Sequence, residues 1–321
     1  MSVCEVKTYP VIRFTAVIFA ASIVCCAATA AAVQSVAIEY ARTLRLPGST
    51  HGIARPVAIS YEAGAGETCI TDARGPAILL VNRRDVATFQ TTRFSALSIP
   101  LDACVDAQGS IVFLDQDAQG GLRTIRRLNL HGEPEDFVVE RPDRDWTPTH
   151  LIICRDGGYL TLDGDAGTLT SHDARTGAVI WHRNVTGDES DTLFLGRPCE
   201  GPDGNIYLPG GELHAVLVFD AQGRYLERFG EFGTGPGKMV FPVACAVGPG
   251  DTIVVLDRMR HKVMVHDRTH RLLLEYGSIG AGPGQLYHPR DITISEDGRL
   301  YVAQGFEGRV QVFQLAVTGR P

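Results

Sequence analysis

The chain has 321 residues, 44% of them hydrophobic and 21% charged, with 35 glycines and 17 prolines. That mixture excludes a disordered or collagen-like chain and suits a globular protein rich in turns. A formal net charge of −7, without a local basic run, supplies no attraction to phosphate backbones, so nucleic acid is not an expected partner.

At the N-terminus, Lys7 and Arg13 precede an uncharged run over residues 14–33 that ends in small residues at Ala28-Thr29-Ala30 and Ala30-Ala31-Ala32. This is the pattern of a secretory signal peptide, assigned to residues 1–32. The run is also long enough to cross a bilayer as a helix, which makes a membrane anchor the alternative, but its alanine-rich end favours cleavage. A lipoprotein reading through Cys25 or Cys26 lacks the small preceding residues that lipid attachment needs. The expected location is secreted or periplasmic, or else anchored outside the cytoplasm with this segment as the sole membrane contact. Beyond it lie Cys69, Cys104, Cys154, Cys199 and Cys245, odd in number, widely spaced and without a CxxC pair. No disulfide framework or zinc site is legible there, and four of the five are expected on inner strands as small buried hydrophobes.

The rest of the chain repeats. Short β-rich runs begin at Pro56, Pro100, Pro148, Leu195, Pro242 and Pro289, at spacings of 44, 48, 47, 47 and 47 residues. The last unit is the fullest: Gly282-Pro283-Gly284-Gln285-Leu286, Pro289, Asp291-Ile292-Thr293-Ile294, the turn Glu296-Asp297-Gly298, Leu300-Tyr301-Val302-Ala303, and Arg309-Val310-Gln311-Val312-Phe313. Related turns recur at Asp106–Gly109, Asp156-Gly157 and Asp203-Gly204. Each unit predicts a hairpin extended to four antiparallel strands. Such a sheet cannot bury both faces alone, whereas a ring of six can. The last unit runs out one strand short. The alternating run from Ala37 to Arg45 is therefore expected to complete the last blade.

These motifs resemble NHL repeats, most closely in the last two units. The resemblance implies an all-β, six-bladed β-propeller over residues 33–316, with a tail at 317–321. In propellers of this kind the inner strands begin near the mouth of the central channel. The second place after each anchor carries Ala58, Asp102, His150, Arg197, Ala244 and Asp291, and the four polar members form a candidate ligand site. Hairpins expected on the same face add Asp115, Asp163, Arg258, Arg260, His261 and Glu307. Of these, Arg258, Arg260 and His261 are candidate ligand contacts, while Asp115 and Asp163, like Asp257, close strands where turn capping explains an aspartate.

The family also includes enzymes, the peptidyl-hydroxyglycine amidating lyases, in which histidines directly after the anchor gather zinc. Here those places hold Val57, Leu101, Thr149, Gly196, Val243 and Arg290, so the resemblance does not carry the zinc set over. No cofactor is expected. A divalent cation, calcium or zinc, would fall at Asp102, His150 and Asp291. The leading expectation is a module that binds a protein, peptide or glycan at the channel mouth. The alternative is a metal-dependent lyase or hydrolase with its site at the top of the channel.

Overall fold

The computed structural model describes residues 35–45, 52–75, 77–91, 97–186 and 193–318. The segment assigned to export lies outside the described residues.

The described residues form six antiparallel sheets. The first blade comprises, in chain order after the N-terminal strand β1 (Ser35–Thr43), β2 (Pro56–Glu62), β3 (Glu67–Asp72), β4 (Ala77–Val81) and β5 (Ala87–Gln90). The second holds β6 (Ile99–Val105), β7 (Ile111–Gln116) and β8 (Arg123–Leu128), and the third β9 (His150–Ile153) to β12 (Val179–Asn184). The fourth runs from β13 (Cys199–Glu200) to β16 (Tyr225–Phe229), and the fifth from β17 (Pro242–Gly248) to β20 (Leu272–Tyr276). The sixth contains β21 (Asp291–Ile294), β22 (Arg299–Gln304) and β23 (Arg309–Thr318).

The second blade stops at three strands. After Leu128 the chain meets Gly132, Pro134 and Pro142, and a proline cannot donate to a ladder, so pairing shrinks to the single bridge Leu128↔Pro134. The chain then crosses to the third blade, where Glu140 pairs through its backbone with Gly177.

Alternating side chains bury both faces of each blade. In β18 (Thr252–Asp257), Ile253 and Val255 pack with Tyr207, Val216 and Val218 of the fourth blade, whereas Val254 and Leu256 pack with Ile292, Leu300 and Val302 of the sixth. The other blade interfaces are built alike, each around its own apolar cluster.

Strand β1 (Ser35–Thr43) closes the ring. It pairs antiparallel with β23 from Ser35↔Thr318 to Thr43↔Gln311, as the outermost strand of the sixth blade. The pairing carries β23 to Thr318, two residues into the stretch assigned to a tail. Past the strand, Leu44 joins the cluster between the sixth and first blades, and Arg42 forms an ion pair with Asp85 of the first. Deleting residues 35–44 strips Ile38 and Leu44 from two clusters and bares the β23 edge. By area burial this costs on the order of 5 kcal/mol and should lower Tm by roughly 10 °C. Calorimetry of the truncated chain checks this, and a melting point within a degree or two of the full chain would contradict it.

Candidate functional site

The ring positions expected near the channel do converge, and a guanidinium joins them. Arg197, from the fourth blade, donates through Nε to Asp102 Oδ2 at 3.0 Å and through Nη2 to Asp102 Oδ1 at 3.1 Å and the Leu151 carbonyl at 3.1 Å. Its Nη1 donates to the Ile59 carbonyl at 2.8 Å and lies 3.7 Å from Asp291 Oδ2. Ala58 and Ala244, the two small members of the ring, are fully buried beside it.

Local structure explains how Arg197 reaches this place. The fourth unit has leucine where the other five have proline, and its inner strand leans onto the fifth blade: Arg197 N donates to the Val243 carbonyl at 2.9 Å, and Arg197 forms a parallel bridge with Ala244. Gly196 permits the approach, because a Cβ there would stand 2.1 Å from the Val243 carbonyl oxygen. In the first, second and fifth blades the register slips by one residue just after the anchoring proline. Such a bulge re-aims side chains. The bulged Val57, Leu101 and Val243 line the channel above the ring.

Both carboxylates also accept from backbone amides. Asp102 Oδ1 accepts from Ala103 N at 2.8 Å and Oδ2 from Leu151 N at 3.0 Å, while Asp291 accepts from Ile59 N at 2.7 Å and Ile292 N at 2.8 Å. Burial opposes ionisation of both, yet the two diverge. For Asp102 the paired Arg197, with His150 and the Leu151 amide, outweighs burial and lowers the pKa. For Asp291 burial dominates, offset only in part by Arg197 and reinforced by Asp102, and the pKa is raised to about 6. Burial also lifts the Cys104 thiol to about 12. It therefore stays protonated, donating to the Leu151 carbonyl and accepting from Arg197 Nη2, each at 3.4 Å.

This cluster stands between two cavities. The lower, of about 230 Å³, is lined by Cys104, Cys199, Cys245 and Arg197 among others. The upper, of about 400 Å³, opens at the channel mouth between aliphatic walls (Val57, Ile99, Leu101, Leu195, Val243) and a set of polar groups: Arg55, Arg123, His150, Asp165, Arg258 and Arg290. Arg123 is engaged, donating to the Thr147 and Pro148 carbonyls near Asp165. Arg55, Arg258 and Arg290 have no carboxylate partner among the described residues. Arg258 lies over the Phe241 and Phe194 rings, 5.1 and 5.9 Å from their centroids, and its buried Nε has no hydrogen-bond partner. Surrounding protein, and then Arg258 and Arg55, pull the Arg290 pKa below the usual guanidinium value.

Of the residues singled out from sequence, Asp102, His150, Arg197 and Asp291 meet around the channel axis, and Arg258 joins the upper cavity. Arg260 does not. It is spent on Glu275, at 2.7 and 3.1 Å, and on backbone carbonyls of the Gly-Pro-Gly loop. His261 stacks on Tyr287 and meets His288 edge-on, outside both cavities. Asp115, Asp163 and Asp257 cap: Asp163 accepts from Thr147 N, Asp165 N and Ala166 N, and Asp257 from Val240 N, Met259 N and Arg260 N. Glu307 is exposed. The cation set Asp102, His150 and Asp291 is assembled, but the Arg197 guanidinium sits against both carboxylates, and His150 Nδ1 is 3.7 Å from Asp102. Among the described residues no group of three or more His, Cys, Asp and Glu is placed to hold a metal ion. Arg55 and Arg290 were not picked out as contacts. Their signal is position, one directly before Pro56 and one directly after Pro289.

The fold is that of a six-bladed β-propeller. A family model described as a 6-bladed beta-propeller matches residues 202–276. Among solved structures, virginiamycin B lyase from Staphylococcus aureus aligns at 13% identity over 88% of this chain and 100% of that one, with a TM-score of 0.58. A gluconolactonase from Xanthomonas campestris aligns at 16% over 89% and 97%, TM-score 0.62. A protein of unknown function from Bacteroides thetaiotaomicron aligns at 11% over 88% and 76%, TM-score 0.64. At such identities the likeness is one of fold. No curated protein sequence matches this chain.

The buried cluster makes two testable demands. Arg197→Met leaves two carboxylates without a countercharge and should cost roughly 3–5 kcal/mol, measured by denaturant unfolding. Asp291 binds its proton more tightly folded, near pH 6, than unfolded, near 3.9. Its contribution to stability is thus full below about pH 4 and is lost as pH rises through about 6. Asp102, shifted the other way, contributes above pH 4 and loses that as pH falls. Asp291→Asn should therefore gain in Tm relative to the parent chain between pH 4 and 7. A difference that is flat with pH would refute this assignment.

Proposed function

We propose that this chain is a binding module whose channel-mouth cavity holds a segment of a protein, peptide or glycan without chemically altering it, and that it works outside the cytoplasm. The observation that carries this reading is the state of the two channel carboxylates. Asp102 and Asp291 are the pair an acid–base site would need, and both are engaged by Arg197 and backbone amides beneath the cavity. What remains at the wall is aliphatic surface and polar groups, most of them cationic, which recognise and orient a ligand.

One observation favours a second reading, a lyase or hydrolase. His150 lines the cavity with Asp102 behind it, and its Nδ1 has no hydrogen-bond partner. An imidazole backed by a carboxylate is an acid–base arrangement, and propellers of similar fold include a virginiamycin B lyase and a gluconolactonase. A calcium or zinc ion at Asp102, His150 and Asp291 would have to displace Arg197 from both carboxylates. On the binding reading, calcium, zinc or a chelator leaves Tm unchanged.

The test is a peptide and glycan array probed with the purified chain and with Val57→Trp, which fills the cavity from its wall. Binders should be lost at least tenfold in the variant and be recovered chemically intact by mass spectrometry. Turnover that disappears in His150→Ala would instead establish the enzyme.

A further inference from the structure

Three guanidiniums that share one small cavity, none of them ion-paired with a carboxylate among the described residues, repel one another, and an anion entering the cavity relieves that repulsion. Arg55 precedes the first anchor, Arg290 follows the last, and Arg258 stands at the strand end of the fifth blade, so three blades deliver positive charge to one mouth. Burial depresses the Arg290 pKa first, and Arg258 and Arg55 add to that, which places the three within electrostatic reach of one another. Arg258 is held in position by Phe194 and Phe241, leaving a buried Nε donor unsatisfied. Planar guanidiniums suit carboxylate geometry.

The rest of the wall narrows the ligand. Val57, Leu101, Leu195 and Val243 offer no hydrogen bonds, so the part of a ligand that packs against them is itself apolar. An apolar group is matched by these walls. We propose that the cavity takes an amphipathic anion: a carboxylate on a small apolar body, as at the C-terminal end of a peptide. This rests on the reading of the cavity as a binding site, and narrows it.

Calorimetric titration of the full chain tests it with four probes: acetyl-Ala-Ala-Leu with a free C-terminal carboxylate, the same peptide as its amide, octanoate, and inorganic phosphate. The free acid should bind at least tenfold more tightly than the amide. Its affinity should fall severalfold in both Arg290→Gln and Arg55→Gln, weaken with added salt, and vanish in Val57→Trp. Octanoate equal to the peptide acid supports a free small acid as the occupant, and a preference for the peptide acid supports a chain end. Phosphate binding as tightly as either acid would overturn the apolar part of the proposal. Acid and amide binding alike, both lost in Val57→Trp, would overturn the anion inference and leave the cavity reading standing. Acid binding indifferent to Val57→Trp would overturn both. No binding of either acid at millimolar concentration would overturn the anion inference, while array ligands lost in Val57→Trp would still uphold the cavity.

Discussion

A single guanidinium ties the ring together at its axis. Arg197 starts in the fourth blade and bonds to backbone of the first and third blades and to the carboxylate of the second, and it lies against the carboxylate of the sixth. Its own amide is fastened to the fifth. Every blade therefore meets at one residue. The arrangement is demanding, because a buried charge is tolerated only when paired and fully hydrogen-bonded. Two carboxylates supply more negative charge than one guanidinium balances, which is why Asp102 and Asp291 part company in pKa although they share a partner.

The same cluster shapes what the channel can do. It separates the thiol-lined lower cavity from the upper one, so the mouth is a blind pocket with a charged floor instead of a through-pore. Asp102 and Asp291 are committed to the floor, and the mouth is left with aliphatic side chains, several arginines and Asp165. Structural economy below and cationic character above thus have one origin.

Much of the architecture was legible because it is local and periodic. The 47-residue spacing, the Gly-bearing turns and the alternating apolar strands each follow from short-range rules, and the unpaired alternation of Ala37 to Arg45 located the closing strand. The ring positions were legible too, since the anchor fixes which residue faces the axis. The partnership of Arg197 with Asp102 was not. It joins residues 95 apart through a side chain that reaches across the channel, and no spacing rule encodes that reach. Leu195-Gly196 in place of a proline anchor marked the fourth blade as different without saying how. Arg260 misled for a related reason: its partner, Glu275, lies two strands further along the same blade. The missing strand of the second blade had its signal in Pro134 and Pro142, which interrupt a stretch that the repeat count alone treats as complete.

The closing strand also imposes an order in time. β1 is the first described strand to be synthesised, and β23, its one strand partner among the described residues, is the last. Throughout synthesis the chain carries an unpaired edge whose complement does not yet exist, and the sixth blade cannot be finished until the other five have been made. Long-range pairing of this kind is slow and leaves strands open to wrong partners. The ring, whose only exposed edges are short outer strands, is thus reached through intermediates that expose a longer one, β1, and the hazard of the fold lies in its assembly.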